Sequence, residues 1–564
     1  MSQRSPSGRM SACRAVLSVA LSLCILLPVE EVLAHLENTA ARKDHSMISI
    51  LYAEGETGRT IADYTKAIEI KPKSAQAYND RCRAYYDKRE HDRAIVDCTK
   101  AIEIDPKSAE GYNNRGDAYD AKGEVDRAIA DYTKAIEIEP KFAGAYNSRG
   151  LAYQDKGEVD RAIADYTNAI EIEPNSAPPY SNRCRAYSDM RGHDRAIIDC
   201  GKAVKLAPKS EEGYNNRGLA YRAKGEVDRA IADYTKAIQI NPKSWRAYHN
   251  RALAYKAKGE VDRAIADYTK VIGIEPKYAP SYSNRCKAYY DKRDHDRAII
   301  DCTKAIEIDP RSAEGYNNRA IVYGDKGEVD REIADYTKAI EINPEYARAH
   351  YNRGNAYDAK GEVDRAIADY TKAIEINAKY SDAYYNRGNA YRDKGEIDRA
   401  IADYTKTMEI DPTFTEAYTN RCRAYIDRKE YDRAIIDCTK ALEITPKSAL
   451  AYSNRCRAYI DKKEHDRAII DCSKALEINP KSVLAYSNRC RAYIDKKEHG
   501  LAMVDCSKAI EIAPEYAPPY LNRAIAFEAK GDRQRAIIDY LRTLALDVSN
   551  KDATGALKRL GASP

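Results

Sequence analysis

Apolar and polar positions along the chain recur at a helical spacing inside a longer fixed period. In the stretch from Ser108 to Pro140, SAEGYNNRGDAYDAKGEVDRAIADYTKAIEIEP, two segments carry the pattern. The first, Ala109 to about Lys122, spaces Tyr112, Gly116 and Tyr119 along one face. The second, about Val125 to Ile138, gathers Ala128, Ile129, Tyr132, Ala135, Ile136 and Ile138 on one side. Both follow the periodicity of an amphipathic helix. Gly123 between them suits a tight left-handed turn, and Pro140 closes the second helix. Prolines then recur at 72, 106, 140, 174, 208, 242, 276, 310 and 344, and again at 412, 446, 480 and 514, an interval of 34 with Ala378 in the skipped slot. Two helices of this length cannot bury both their faces alone, so successive repeats must stack.

The residues Tyr112, Gly116, Tyr119, Ala128, Tyr132, Ala135 and Pro140 resemble the tetratricopeptide repeat, with tyrosine where that family often has tryptophan or phenylalanine. Numbering each repeat from its first residue, full repeats begin at 75, 109, 143, 177, 211, 245, 279, 313, 347, 381, 415, 449, 483 and 517. A degenerate repeat begins near 41, within the segment 35–74; its second helix is IADYTKAIEI, 61–70. The array spans 75–550, and 551–564 reads as a short capping helix. The resemblance implies an all-α fold, an α-solenoid of antiparallel helix pairs wound into a right-handed superhelix. It also implies that the first helices line a concave groove that binds peptides or protein surfaces.

Fourteen copies allow the chain to be compared with itself. Twelve cysteines fall into six pairs: Cys82 with Cys98, Cys184 with Cys200, Cys286 with Cys302, Cys422 with Cys438, Cys456 with Cys472, and Cys490 with Cys506. All occupy positions 8 and 24. Where position 8 is Gly or Ala, as in Gly116 and Ala252, position 24 is Tyr, as in Tyr132 and Tyr268. In a hairpin turning near position 15 or 16 these two positions face each other, so the exchange is a volume trade across one contact. Two readings stay open: buried thiols acting as small hydrophobes, or a disulfide in each such hairpin. Position 7 is Arg and position 23 Asp in all fourteen full repeats, from Arg81 and Asp97 to Arg523 and Asp539. This predicts an Arg–Asp bridge inside each hairpin, with the position-19 Arg as a further partner of the Asp.

Position 6 is Asn114, Asn182, Asn216, Asn250, Asn284, Asn318, Asn352, Asn386, Asn420, Asn454, Asn488 and Asn522; Asp80 and Ser148 break the series. This position points away from the core-facing positions 4, 8 and 11. Stacked, it forms either a line of amides able to pair with a peptide backbone or a set of local bonds to the adjacent repeat. The line resembles the asparagine ladder of O-linked N-acetylglucosamine transferase. The transferase activity is not carried over, since fourteen residues follow the array. On the same face Arg423, Arg457 and Arg491 at position 9, Ile426, Ile460 and Ile494 at position 12, and Leu450 and Leu484 at position 2 predict a patch for a peptide with acidic and apolar residues. Two alternatives stand against the patch: Asp427, Asp461 and Asp495, four residues after each Arg, as neutralising partners, and coverage of position 12 by the neighbouring repeat.

Composition narrows the function. The chain has 93 Lys and Arg against 88 Asp and Glu, a net charge of +5, too even for a nucleic-acid or membrane-surface protein. Residues 1–34, with Arg4, Arg9 and Arg14 before the apolar run Ala15 to Leu27 and Val32-Leu33-Ala34 after it, read as a signal peptide, so the mature protein is expected in the periplasm or outside the cell. No other stretch is long and apolar enough to span a bilayer. No nucleotide, zinc-protease or nucleophile-elbow motif occurs. Five histidines (His91, His193, His295, His465, His499) share position 17, at least 34 residues apart, too dispersed for a metal site in one repeat. The expected function is a non-catalytic scaffold without cofactor or metal, with protein or peptide partners and no nucleic acid. A cell-envelope glycan or peptidoglycan binder is the alternative.

Overall fold

The computed structural model describes residues 61–562; the signal-peptide segment and the start of the degenerate repeat lie outside the described residues. The described chain divides into two compact bodies, the first ending at Ala254 and the second beginning at Tyr255. Each is a stack of antiparallel helix pairs, and all regular elements among the described residues are helices, an α-solenoid arrangement. In the first body the pairs run from Ala75–Asp87 with His91–Ile104 to Glu211–Ala223 with Val227–Ile240. In the second they run from Ala279–Asp291 with His295–Ile308 to Ala517–Ala529 with Arg533–Leu546, followed by Lys551–Arg559.

Local chemistry sets each hairpin. Ser108 caps the first helix of its repeat, its Oγ accepting from the Gly111 amide at 3.1 Å. The helix ends at Ala121, Gly123 turns at φ 77°, and the amides of Gly123 and Glu124 donate to the carbonyls of Asp120 and Tyr119. Those two bonds satisfy the last carbonyls of the helix and reverse the chain. In the six repeats with a cysteine pair the same left-handed position holds Arg89, Arg191, Arg293, Lys429, Lys463 or Lys497, at φ 60–64°. A side chain there costs roughly 1–2 kcal/mol relative to glycine, so these turns must be held by the packing of their helices.

That packing centres on positions 8 and 24. A Cβ on Gly116 would lie 2.6 Å from Tyr132 Cε1, so in this hairpin the ring takes the space a side chain would fill, whereas Tyr268, Tyr336 and Tyr540 face an alanine. In the cysteine repeats both partners are small, and the two sulfurs stand at bonding distance across the hairpin. The Cα atoms are 5.4 Å apart in Cys82 and Cys98, in Cys184 and Cys200, and in Cys286 and Cys302. They are 5.6 Å apart in Cys422 and Cys438, and 5.5 Å both in Cys456 and Cys472 and in Cys490 and Cys506. These separations lie inside the range of a disulfide. Of the two readings open in the sequence, the geometry accommodates the cross-link in all six hairpins. It satisfies the packing reading as well, since Cys200, Cys302, Cys472 and Cys506 are fully buried on their second helices.

Between the helices runs a second, polar link. Arg115 Nε and Nη2 donate to Asp131 at 2.7 and 2.8 Å, and Nη1 donates to Thr99 Oγ1 of the preceding repeat at 3.3 Å. Asp131 is 6% exposed, and the rings of Tyr112 and Tyr119 flank the guanidinium at 5.5 and 5.9 Å. The same clasp recurs at Arg81–Asp97, Arg319–Asp335 and Arg523–Asp539. The position-19 arginine does not share it, contrary to the sequence expectation. Arg127 turns to Glu124 at 2.6 Å and stacks on Tyr119 at 4.8 Å, because Glu124 at the helix start is nearer than the buried aspartate.

Removing one partner of a buried ion pair strands the other charge. Arg319→Met should therefore destabilise the chain by about 3–5 kcal/mol, and Arg319→Met with Asp335→Leu should recover most of the loss. Urea denaturation of the two variants checks this. Equal loss in both would mean that the pair is not the source of the penalty.

Candidate functional site: the face of successive first helices

The position-6 asparagines lie between first helices, and none of the twelve is exposed. Their amide nitrogens reach back 35 residues to position 5 of the preceding repeat. Asn114, Asn182 and Asn250 donate to Asn79, Asn147 and Asn215 Oδ1, each at 2.9 Å. Asn352 donates to Asn317 at 3.2 Å. Asn216 and Asn318 meet the shorter Ser181 and Ser283 hydroxyls at 3.4 and 3.2 Å. Asn454 and Asn488 reach the Thr419 and Ser453 carbonyls at 3.4 and 3.1 Å. Asn386 and Asn420 face tyrosines: each donates to Tyr351 or Tyr385 and to Asn355 or Asn389 at 2.8–3.1 Å. Asn284 and Asn522 are half-buried. The amide nitrogens of this series therefore act first as clamps between repeats.

The arginines at position 9 behave differently. Arg423 is exposed. Arg457 lies 3.8 Å from Asp427 and Arg491 3.2 Å from Asp461. Each pairs with the aspartate of the preceding repeat rather than with the one four residues ahead, because stacking brings position 13 of one first helix beside position 9 of the next. The isoleucines correct the expected patch. Ile426 and Ile460 are 3% and 2% exposed, and Ile426 packs with Cys422, Ala434, Cys438 and, from the next repeat, Ala458. Ile494 is half-buried. What remains outward is guanidinium and Leu450, which is 47% exposed.

Two features of the second body escape the repeat pattern. Tyr351 and Tyr380 stand 4.9 Å apart between ring centres, and Tyr385 and Phe414 5.0 Å. The core tyrosines Tyr370 and Tyr404 donate to Asn355 and Asn389 at 2.8 Å, so two identical aromatic–amide networks sit one repeat apart. Glu332 replaces the alanine that other repeats hold at position 20, and Gly324 makes room for it: a Cβ there would meet Glu332 Oε1 at 2.7 Å. Burial, then the nearby Asp325, pushes the Glu332 carboxyl up from 4.5 to about 7. Among the described residues no group of three or more His, Cys, Asp or Glu is placed to hold a metal, and no helix is long and apolar enough to cross a membrane. The position-17 histidines lie at the starts of second helices with Nδ1 buried.

Folded Glu332 keeps its proton where an unfolded glutamate has lost it. Its contribution to stability is full below about pH 4.5 and falls as pH rises toward 7. Against Glu332→Gln, neutral throughout, the wild-type denaturation midpoint should therefore drop progressively over that interval. A constant difference between the two proteins would show that the carboxyl titrates normally.

Sequence profiles described as tetratricopeptide repeat match residues 75–108, 143–176, 347–380, 381–414 and 449–482, 98–130 and 302–334, and 246–278, 279–312 and 415–448. A profile described as TPR repeat matches 116–157, 218–259 and 325–361. No curated protein matches the sequence significantly. Among solved structures, the APC/C hetero-tetramer Cut9-Hcn1 is similar at 16% identity over 87% of this chain and 98% of that one, with a TM-score of 0.43. A tetratricopeptide repeat protein from Parabacteroides merdae ATCC 43184 is 22% identical over 44% and 98%, with a TM-score of 0.39. YrrB, described as a TPR protein with an unusual peptide-binding site, is 23% identical over 33% and 95%, with a TM-score of 0.29.

Proposed function

The chain belongs to the tetratricopeptide repeat family, and from that premise we propose that it is a non-catalytic scaffold holding extended peptide or protein segments on the face of its first helices. The observation that carries this reading is the division of labour on that face. Positions 5 and 6 clamp neighbouring repeats together, while positions 2 and 9 present outward groups, among them Leu450, Arg423, Arg457 and Arg491. A rigid array of such groups binds with little ordering cost. The partner we propose for the repeats beginning at 415, 449 and 483 is a segment carrying acidic residues for the guanidinium groups and apolar ones for the leucines. A second reading, a cell-envelope glycan or peptidoglycan binder, is favoured by the aromatic pairs Tyr351 with Tyr380 and Tyr385 with Phe414, since aromatic faces beside amides suit sugars. We further propose that the protein is exported to the periplasm or beyond, and that its six cysteine pairs are oxidised there.

Pull-down from envelope fractions separates the two readings: enrichment by purified glycan and not by proteins would discard the scaffold. For a captured protein, Arg457→Ala with Arg491→Ala should weaken binding about tenfold, the scale of one or two charge-assisted bonds. The same exchange at Arg222 and Arg246, first-helix residues of the repeats beginning at 211 and 245, should leave it unchanged; the reverse result would move the ligand into the middle of the array.

Oxidation is read by alkylation. In denaturant without reductant, the twelve paired cysteines of the mature protein should label only slightly, and reduction should cost each hairpin about 3 kcal/mol by the chain-entropy relation. Full labelling would leave packing as the sole role of these cysteines.

A further inference from the structure

In the first body the backward bond from position 6 is missing at one place. Asn113 is the counterpart of Asn79, Asn147 and Asn215, each of which accepts from the asparagine 35 residues ahead. Residue 148, which should supply that donor, is a serine, two heavy atoms shorter. The Ser148 hydroxyl turns to Asp117 instead. Asn113 is 8% exposed, and its Oδ1 is buried without a hydrogen-bond partner. Its Nδ2 donates to Asp117 Oδ2 at 3.3 Å, which fixes the amide's orientation, because a flipped amide would set oxygen against the carboxylate.

The neighbouring donors are already spent on Asp117, and the one cation that reaches it, Arg83, does so at long range. Asp117 Oδ1 accepts from Tyr132 at 2.9 Å and Oδ2 from Asn113 at 3.3 Å and Arg83 at 3.5 Å, with the Ser148 hydroxyl a further donor to the carboxylate. The Arg83 side chain is 53% exposed and is shared between Asp117, Asp87 and the Tyr86 ring, so its hold on Asp117 is weak. Asp120 lies near both Asp117 and Asp155, and burial raises the Asp117 and Asp120 carboxyls above their ordinary range. A buried amide oxygen beside a half-buried carboxylate and further acids asks for a compact cation with several N–H donors. A serine side chain has two heavy atoms fewer than asparagine, a difference on the scale of one ammonium group and below the four heavy atoms of a planar guanidinium.

We propose that Asn113, Asp117 and Ser148 form a subsite for the primary ammonium of a lysine side chain carried by an extended peptide on the first-helix face. The assignment rests on the scaffold reading and adds to it where one anchor of the peptide sits and what that anchor is. Ser148 is thus the selecting residue: an asparagine there would donate to Asn113 and close the subsite, as it does elsewhere in the stack.

The test is fluorescence anisotropy with a labelled acetyl-Gly-Gly-Lys-Gly-Gly-amide and its norleucine and arginine counterparts. The full-length protein should bind the lysine probe about tenfold more tightly than either counterpart. Ser148→Asn should abolish that preference while raising the melting temperature, whereas Ser148→Ala, which keeps the space, should retain it. Equal binding of lysine and norleucine probes, or an unaltered preference in Ser148→Asn, would overturn the subsite. So would a crystal structure of the protein soaked with the lysine probe that shows water alone on Asn113 Oδ1. Competition by 1,4-diaminobutane as strong as by the peptide would assign the site to a free diamine and reject the peptide. If the lysine preference is absent while Arg457→Ala with Arg491→Ala still releases a captured partner, the subsite falls and the scaffold stands. If no substitution on this face alters capture, the scaffold reading falls with it.

Discussion

The fold depends on a buried ion pair repeated along the chain. In the clasp a position-7 arginine holds a position-23 aspartate through two bonds and, where position 25 of the repeat before it carries a hydroxyl, donates a third to it, as Arg353 does with Asp369 and Thr337; Gly201 offers none to Arg217. One side chain thus fixes the angle of its own hairpin and the stacking of that hairpin on its neighbour. Burying two charges is expensive unless geometry and hydrogen bonding are nearly complete, and here the surroundings complete them. Tyrosines at positions 4 and 11 flank the guanidinium, as Tyr384 and Tyr391 flank Arg387 at 5.6 and 5.8 Å. The ring face serves the cation in Tyr and Phe alike, as Phe527 does for Arg523; in several repeats tyrosine adds a position-24 hydroxyl that finds an acceptor on the first helix.

Around that constant link the repeats vary in how they close the hairpin. Gly and Tyr at positions 8 and 24 make one large and one absent side chain, with a glycine in the turn. Paired cysteines make two small ones, with a basic residue in the left-handed turn. The two sets of choices change together. A hairpin cross-linked as proposed would tolerate a turn residue that is unfavourable by itself, since the cost of the left-handed conformation is below the stabilisation from closing the loop. The same helix pair is thus reached by two independent routes, and the stack continues through either.

Much of this was legible in the sequence because fourteen copies allow one position to be compared with another. The helix bounds, the turn at Gly123, the facing of positions 8 and 24 and the Arg–Asp pairing all follow from spacing within one repeat. What was not legible depends on stacking between repeats. The spacing of Asn454 shows which way it points, yet not that the Thr419 carbonyl comes within reach. Ile426 looks outward on a helical wheel and is covered by Ala458 of the next repeat. Helical spacing alone pairs Arg457 with Asp461, whereas stacking delivers it to Asp427. Glu332 was not singled out by the repeat pattern, and its place in the fold depends on Gly324 opposite it.

The division between constant and variable positions bears directly on binding. A consensus residue that already bonds its neighbour has little left for a ligand, and positions 5, 6, 7 and 23 are engaged in this way through most of the stack. Selectivity must then lie where the consensus is relaxed. Position 9 varies in this way, with Asp117, Leu151, Arg185, Lys287, Asn355 and Arg457 among its residues, so charge and polarity change from one repeat to another. Breaks in the clamps act more sharply than these exchanges. A missing donor leaves a buried acceptor whose desolvation is uncompensated in the free protein, and a ligand that supplies the donor recovers that loss as affinity. A repeat protein with a uniform framework therefore gains specificity most readily by omitting one of its own internal bonds.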